Sequence, residues 1–323
     1  MFLLWANSFA DVRLRLSRKN LYSLCMIVPR IVSISLTILL VLQVFAAGQA
    51  VTQDEIRLTT AEAPWVMVIE GNGLDIKTVK VKPGGAYFLL YPNKDELNIS
   101  LFIEPVEKCR TSDECRDFVL NAGNPAWGKF QGVTKAKIGP FSYFEFYRPE
   151  VQGQPLKMQD MYAEYVADGY WVDLHLSKVL YKKEDRSLFE KLVNSVRFVP
   201  KTGASVNNER SFEPIVKSAE NWLVNWDATR CGESYSSLTS ISKSAVTGQL
   251  WTEYCESVHK GLGKLKSRKL IATAYTSSLP TKPDHPGASL RYQSVFDNGP
   301  VIEFVSLTRE KDGTWTVSNY RPQ

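Results

Sequence analysis

The run "VIEFVSL" sets Glu303 in phase with Val301, Val305 and Leu307, so a strand that turns those apolar side chains inward carries a carboxyl with them. A buried carboxyl with a raised pKa suits proton abstraction, and a neighbouring phenol can donate to the oxyanion that develops. Tyr254, Tyr275 and Tyr292 are the candidate donors. The opposite register turns Ile302 and Phe304 inward and leaves Glu303 in solvent. A third outcome buries Glu303 as the structural partner of Arg268 or Arg291.

The three histidines offer less. His175 follows Asp173 at strand spacing, on the same face, but a general base there still needs a nucleophile or substrate. His259 ends an amphipathic helix, and His285 sits in the proline-rich turn "TKPDHPG". Neither has a second histidine at metal-ligand spacing. "GLGKLKSRK" lacks the glycine spacing and GK[ST] ending of a phosphate loop and reads as a helix exit with a basic patch. No cofactor motif is present.

Beyond residue 50 four cysteines remain, Cys109, Cys115, Cys231 and Cys255. Pairing 109 with 115 and 231 with 255 is the simplest of three connectivities in an oxidising compartment, and "CRTSDEC" does not have zinc spacing. An export signal agrees with this. Arg30 precedes the apolar segment Ile31 to Ala47, and Gly48 and Ala50 supply small residues before a cut near Val51. An uncleaved segment would instead anchor the chain in the inner membrane, facing the periplasm; this is the only membrane contact expected. Met26 offers a more compact start for such a signal than Met1.

The net charge of +5 gathers early, where five cations in residues 1–50 face Asp11 alone. The remainder is close to neutral, which excludes nucleic acid as a partner. At 323 residues the chain divides into a signal (1–50), a first α+β domain (51–200), a linker (201–214) and a second domain (215–323). The first reads as strands from "PWVMVIEG" onward, a short helix in "SDECRDFVLNAG" capped by Ser112 or Asp113, and a closing helix in "KEDRSLFEKLVNSVRF". The second reads as helices followed by four antiparallel strands joined at "DNG" and "KDG".

"GYWVDLHLSK" with "LFEKLVNSVRF" resembles the closing strand and helix of the photosystem accessory protein PsbP and its relatives, which implies an α/β/α sandwich. "QLWTEYCESVHKGLGKLKSRKLIATAYTSSLP" and "REKDGTWTVSNY" resemble the bacterial domain-of-unknown-function 4019 family from about Val216 to Arg321. That family is similar to the nuclear-transport-factor-2-like, or cystatin-like, fold, which implies a cone of curved sheet closed by helices. It has no established reaction and so assigns no catalytic residue. The expected function is an exported binding or assembly protein of the envelope, non-catalytic, with a protein or peptide partner. The alternative is an enzyme or carrier holding a small apolar ligand in the cone, an option that loses ground if Trp226, Tyr292 and Trp315 fill the space.

Overall fold

The structure is a computed structural model that describes residues 54–323 except 72–73, 83–84, 93–96, 125–126, 151–152, 202–210 and 280–283. The expected signal and most of the expected linker therefore lie outside the described residues. Among the described residues no helix is long and apolar enough to cross a membrane.

Strand alternation fills two open, antiparallel, seven-stranded sheets. The first runs β3 (Leu74–Lys82), β4 (Gly85–Pro92), β5 (Leu97–Pro105), β9 (Tyr170–Lys178), β8 (Met158–Ala167), β7 (Phe141–Arg148) and β6 (Gln131–Ile138). Helix α1 (Ser112–Ala122) covers one face and is capped by Thr111, whose hydroxyl accepts the Glu114 amide, one residue before the caps expected from sequence. The other face carries Phe88, Leu101, Leu174 and Met161, and packs on α2 (Arg186–Ser195) and on strands of the second sheet.

That second sheet corrects the expected architecture. Its order is β10 (Arg197–Pro200), β2 (Trp65–Glu70), β1 (Glu55–Thr60), β11 (Leu265–Thr276), β12 (Gly287–Phe296), β13 (Gly299–Arg309), β14 (Trp315–Pro322). Neither the α/β/α sandwich followed by a separate cone nor the nuclear-transport-factor-2-like curl is present, because both sheets are open. The physical reason lies at β11, whose far edge is taken by β1 from Ile56 opposite Thr276 to Thr60 opposite Ala272. Three early strands thus extend the late sheet along the edge at which it would have had to curl, and Gln53–Gln323 forms one compact unit.

A second core lies on the other face of β12–β14, under α3 (Glu213–Asp227), α4 (Cys231–Ser236) and α6 (Gly248–Leu262). Helix α3 turns Ile215, Ala219, Trp222 and Trp226 inward, as its helical spacing requires. Thr247 caps α6 and Gly263, at φ +75°, ends it. The stretch between α3 and α6 forms α4 and α5 (Ser240–Ala245).

Both disulfides form as the local pairing predicts. Cys109–Cys115 closes the entry to α1 with Cα atoms 5.0 Å apart, and Cys231–Cys255 ties α4 to α6 at 5.8 Å.

Candidate functional site

β13 adopts the inward register: Val305 and Leu307 are buried and Glu303 is 0 % exposed beside them. Four donors converge on its carboxylate. Arg268 of β11 donates from Nε at 2.6 Å and from Nη2 at 2.8 Å, Tyr320 of β14 donates its hydroxyl at 2.6 Å, and Ser294 of β12 donates its hydroxyl. Arg268 also forks onto Asp227, at the end of α3, at 2.6 and 2.8 Å. Burial by itself works against the Arg268 charge, yet the hydrogen bonds to Asp227 and Glu303 raise its pKa above the usual arginine value. Burial and then the Glu303 charge push the Tyr320 phenol upward, so it remains a donor.

The three candidate phenols do not assemble around this acid. Tyr292 is directly opposite Glu303 in the β12–β13 register, but its buried hydroxyl makes no hydrogen bond among the described residues, and burial raises its pKa. Tyr275 lies beneath the Arg57 guanidinium at 4.6 Å and edge-on to Trp315. Tyr254 is on the outer part of α6 and donates to the Tyr320 carbonyl at 3.3 Å. The residues that do meet Glu303, other than Arg268, carry no local signal. Tyr320, Ser294 and Asp227 reach the site from two strands and a helix end.

The interior next to Glu303 is occupied by side chains. Trp226 packs on Tyr320 at 4.3 Å, on Trp222 at 5.6 Å and on Trp251 at 5.8 Å, and both Trp226 and Tyr292 are buried. Trp315 is half-buried against Tyr275. A half-open cleft of about 200 Å³ lies at the α3 and α6 ends, lined by Asp227, His259, Lys264 and Asp297 among others. The Asp227 carboxylate there is already bound to Arg268, and Asp297 accepts the Lys264 amide.

His175 is joined to different partners from the one its sequence neighbour suggests. Its Nε2 is 3.0 Å from Asp160, its Nδ1 is 3.4 Å from the Ser100 hydroxyl, and its ring stacks on Tyr162 at 4.1 Å. Asp160, fully buried, accepts two hydrogen bonds from Arg148. The order serine, histidine, aspartate is that of nucleophilic catalysis. Ser100, however, lies mid-strand in β5, paired on one side with Leu89 and on the other with His175. The ladders of both neighbouring strands use the backbone at this point, which leaves no pair of amides aimed at a developing oxyanion. His285 closes its turn on the Arg309 carbonyl at 3.1 Å. "GLGKLKSRK" is the end of α6 followed by β11. Among the described residues no group of three His, Cys, Asp or Glu side chains is placed to hold a metal ion.

No curated protein matches the chain. Among solved structures it is similar to the cyanobacterial PsbP (CyanoP) of Synechocystis, at 14 % identity and a TM-score of 0.33, over 46 % of this chain and 95 % of that one. A protein from Bacteroides thetaiotaomicron follows at 9 % identity and a TM-score of 0.31, covering 72 % of this chain and 84 % of that one. A Bdellovibrio bacteriovorus protein has 10 % identity and a TM-score of 0.30, covering 80 % and 88 %. These weak likenesses transfer no role. Residues 218–320, which carry Arg268, Ser294, Glu303 and Tyr320 together with Asp227, match the family described as "Protein of unknown function (DUF4019)".

Proposed function

We propose that the chain is a non-catalytic binding or assembly protein of the bacterial cell envelope, exported by its N-terminal segment and recognising an extended stretch of a partner protein. The observation that carries this reading is the saturation of Glu303. The one inward acid of the late sheet accepts from Arg268, Ser294 and Tyr320, in a core filled by Trp226 and its neighbours, so it has neither a free oxygen nor adjacent space for a substrate. The two disulfides support an oxidising compartment.

The surface best suited to an extended partner is β6, the end strand of its sheet, whose residues Gln131–Lys135 are exposed. Val133 is 42 % exposed and Phe130, just before the strand, 38 %. An end strand with apolar side chains offers a new strand both main-chain partners and anchors. Affinity capture from envelope extract, followed by direct titration of the purified partner, tests the proposal: saturable binding that Val133→Asp weakens at least tenfold is expected. The absence of any saturable partner refutes it, as does turnover of a small molecule that Glu303→Gln abolishes.

A further inference from the structure

From Thr134 to Ile138, β6 stays in unbroken register with β7, whereas a bulge between Gln131 and Thr134 takes Gly132 and Val133 out of the ladder. Lys135 and Lys137, opposite Phe144 and Ser142, turn toward α1. Ala136 and Ile138 turn the other way and pack on the main core. Residues 118–144 contain Lys129, Lys135 and Lys137 but no Asp or Glu. We infer, resting on the reading that β6 recognises an extended partner, that the partner strand is acidic at alternate positions. Its carboxylates line up with Lys135 and Lys137, and its intervening apolar residue faces Ala136.

The charges beside the edge favour such carboxylates. Asp113 and Asp117 of α1 hold Lys137 at 2.7 Å and Lys135 at 3.0 Å, and both also share Arg116, so two carboxylates face three cations. The Lys137 side chain is 63 % exposed and that of Lys135 41 %, which keeps further ammonium N–H donors open to solvent. Lys129 is exposed and makes no ion pair among the described residues. Glu145, the first acid along β7, turns to the opposite face, 3.2 Å from Arg186. An acid on an added strand therefore continues a row that alternates in sign: aspartate on α1, lysine on β6, carboxylate on the partner.

The same charges disfavour a second copy of this chain. Antiparallel pairing of two β6 strands brings the lysines of one edge to those of the other, with no acid in either strand. Nor is β14, an end strand of the other sheet, an equivalent edge. Its carbonyls at Val317, Ser318 and Tyr320 already accept from the Thr239 amide at 3.0 Å, the Ser242 hydroxyl at 2.6 Å and the Tyr254 hydroxyl at 3.3 Å. Among the described residues nothing bonds the outer backbone of β6.

The test titrates the full chain, at low ionic strength, with two fluorescein-labelled decapeptides, one alternating glutamate with valine and one alternating lysine with valine. The glutamate peptide is expected to bind at least about tenfold more tightly, to lose that advantage as salt is raised, and to protect the Thr134–Ile138 amides from hydrogen exchange. Lys135→Gln/Lys137→Gln should bring the two peptides to within about threefold of each other. If that double variant does not fold, Lys129→Gln, outside the α1 ion pairs, should weaken the glutamate peptide about threefold and leave the lysine peptide no weaker. Equal affinity of wild type for the two peptides overturns the inference; with the β6 amides still protected, that result leaves strand recognition standing, so the two readings fail separately. Absence of protection with either peptide overturns it too, and the envelope capture with Val133→Asp then decides strand recognition on its own. A dimer joined through β6, seen by sedimentation and hydrogen exchange, also overturns it.

Discussion

Replacing Arg268 with alanine removes the one cation that Glu303 and Asp227 share. Arg268 makes four charge-assisted hydrogen bonds of 2.6 to 2.8 Å, two to each carboxylate. The loss is not evenly felt. The Asp227 side chain is 25 % exposed and can rehydrate, whereas Glu303 is 0 % exposed and retains only the hydroxyls of Ser294 and Tyr320. Breaking a buried ion pair from one side costs about 3 to 5 kcal/mol, most of it from the charge left behind. Removing that charge as well, in Arg268→Met/Glu303→Leu, returns the protein to within about 1 to 2 kcal/mol of wild type, because apolar replacements of similar volume are often neutral. Urea unfolding followed by tryptophan fluorescence measures both, since Trp222 and Trp226 lie in the adjoining cluster. An Arg268→Ala cost under about 1 kcal/mol, or a double variant as unstable as the sum of its singles, refutes the assignment of Glu303 as a buried, charge-compensated acid.

Reduction of the disulfides should destabilise unequally: the chain-entropy model assigns about 3.5 kcal/mol to the loop closed by Cys231–Cys255 and about 2.4 kcal/mol to the shorter one at Cys109–Cys115, measured by denaturation of the paired Cys→Ala variants. Arg148→Ala strands the fully buried Asp160 with His175 alone and should cost about 3 to 5 kcal/mol, whereas His175→Gln, which keeps the Arg148 fork, should cost less than half of that by the same assay. Thr229 holds φ at 57° just past α3, a conformation that a β-branched residue resists, so Thr229→Gly should raise stability by about 1 kcal/mol.

The sequence made local features legible. Cysteines six residues apart and cysteines on nearby helices pair as their proximity suggests, and the period-2 phase of "VIEFVSL" puts Glu303 on the same face as Val305 and Leu307, the face that proves to be inward. Burial of Glu303 against Arg268, 35 residues away, is one of the outcomes the sequence leaves open, whereas its bonds from Ser294 and Tyr320 were not legible because they are set by long-range strand pairing. β1 is the clearest omission. "EIRLTT" precedes the first strand expected from sequence, yet five of its six residues are buried, including Arg57, Thr59 and Thr60, because it has a strand on either side. Burial of the backbone by neighbouring strands leaves no mark in hydrophobic periodicity.

The position of β1 also explains why helices and four late strands do not produce a cone. Closing a curved sheet over its helices requires its first long strand to remain an edge that can bend toward them. β11 is an interior strand, hydrogen-bonded to β12 along one side and to β1 along the other, and its two faces serve two cores. Ala272 and Ala274 belong to the core shared with the first sheet, while Leu270 and Tyr275 pack on the side of the late helices. The register shift between Leu270 and Ala272 is where this exchange of faces takes place. With β11 held from both sides and from both faces, the space beneath α3 and α6 is closed by tryptophans and by the Arg268–Glu303 pair. The match to residues 218–320 therefore covers a segment whose sheet is completed by strands encoded more than 150 residues earlier, at Glu55–Thr60.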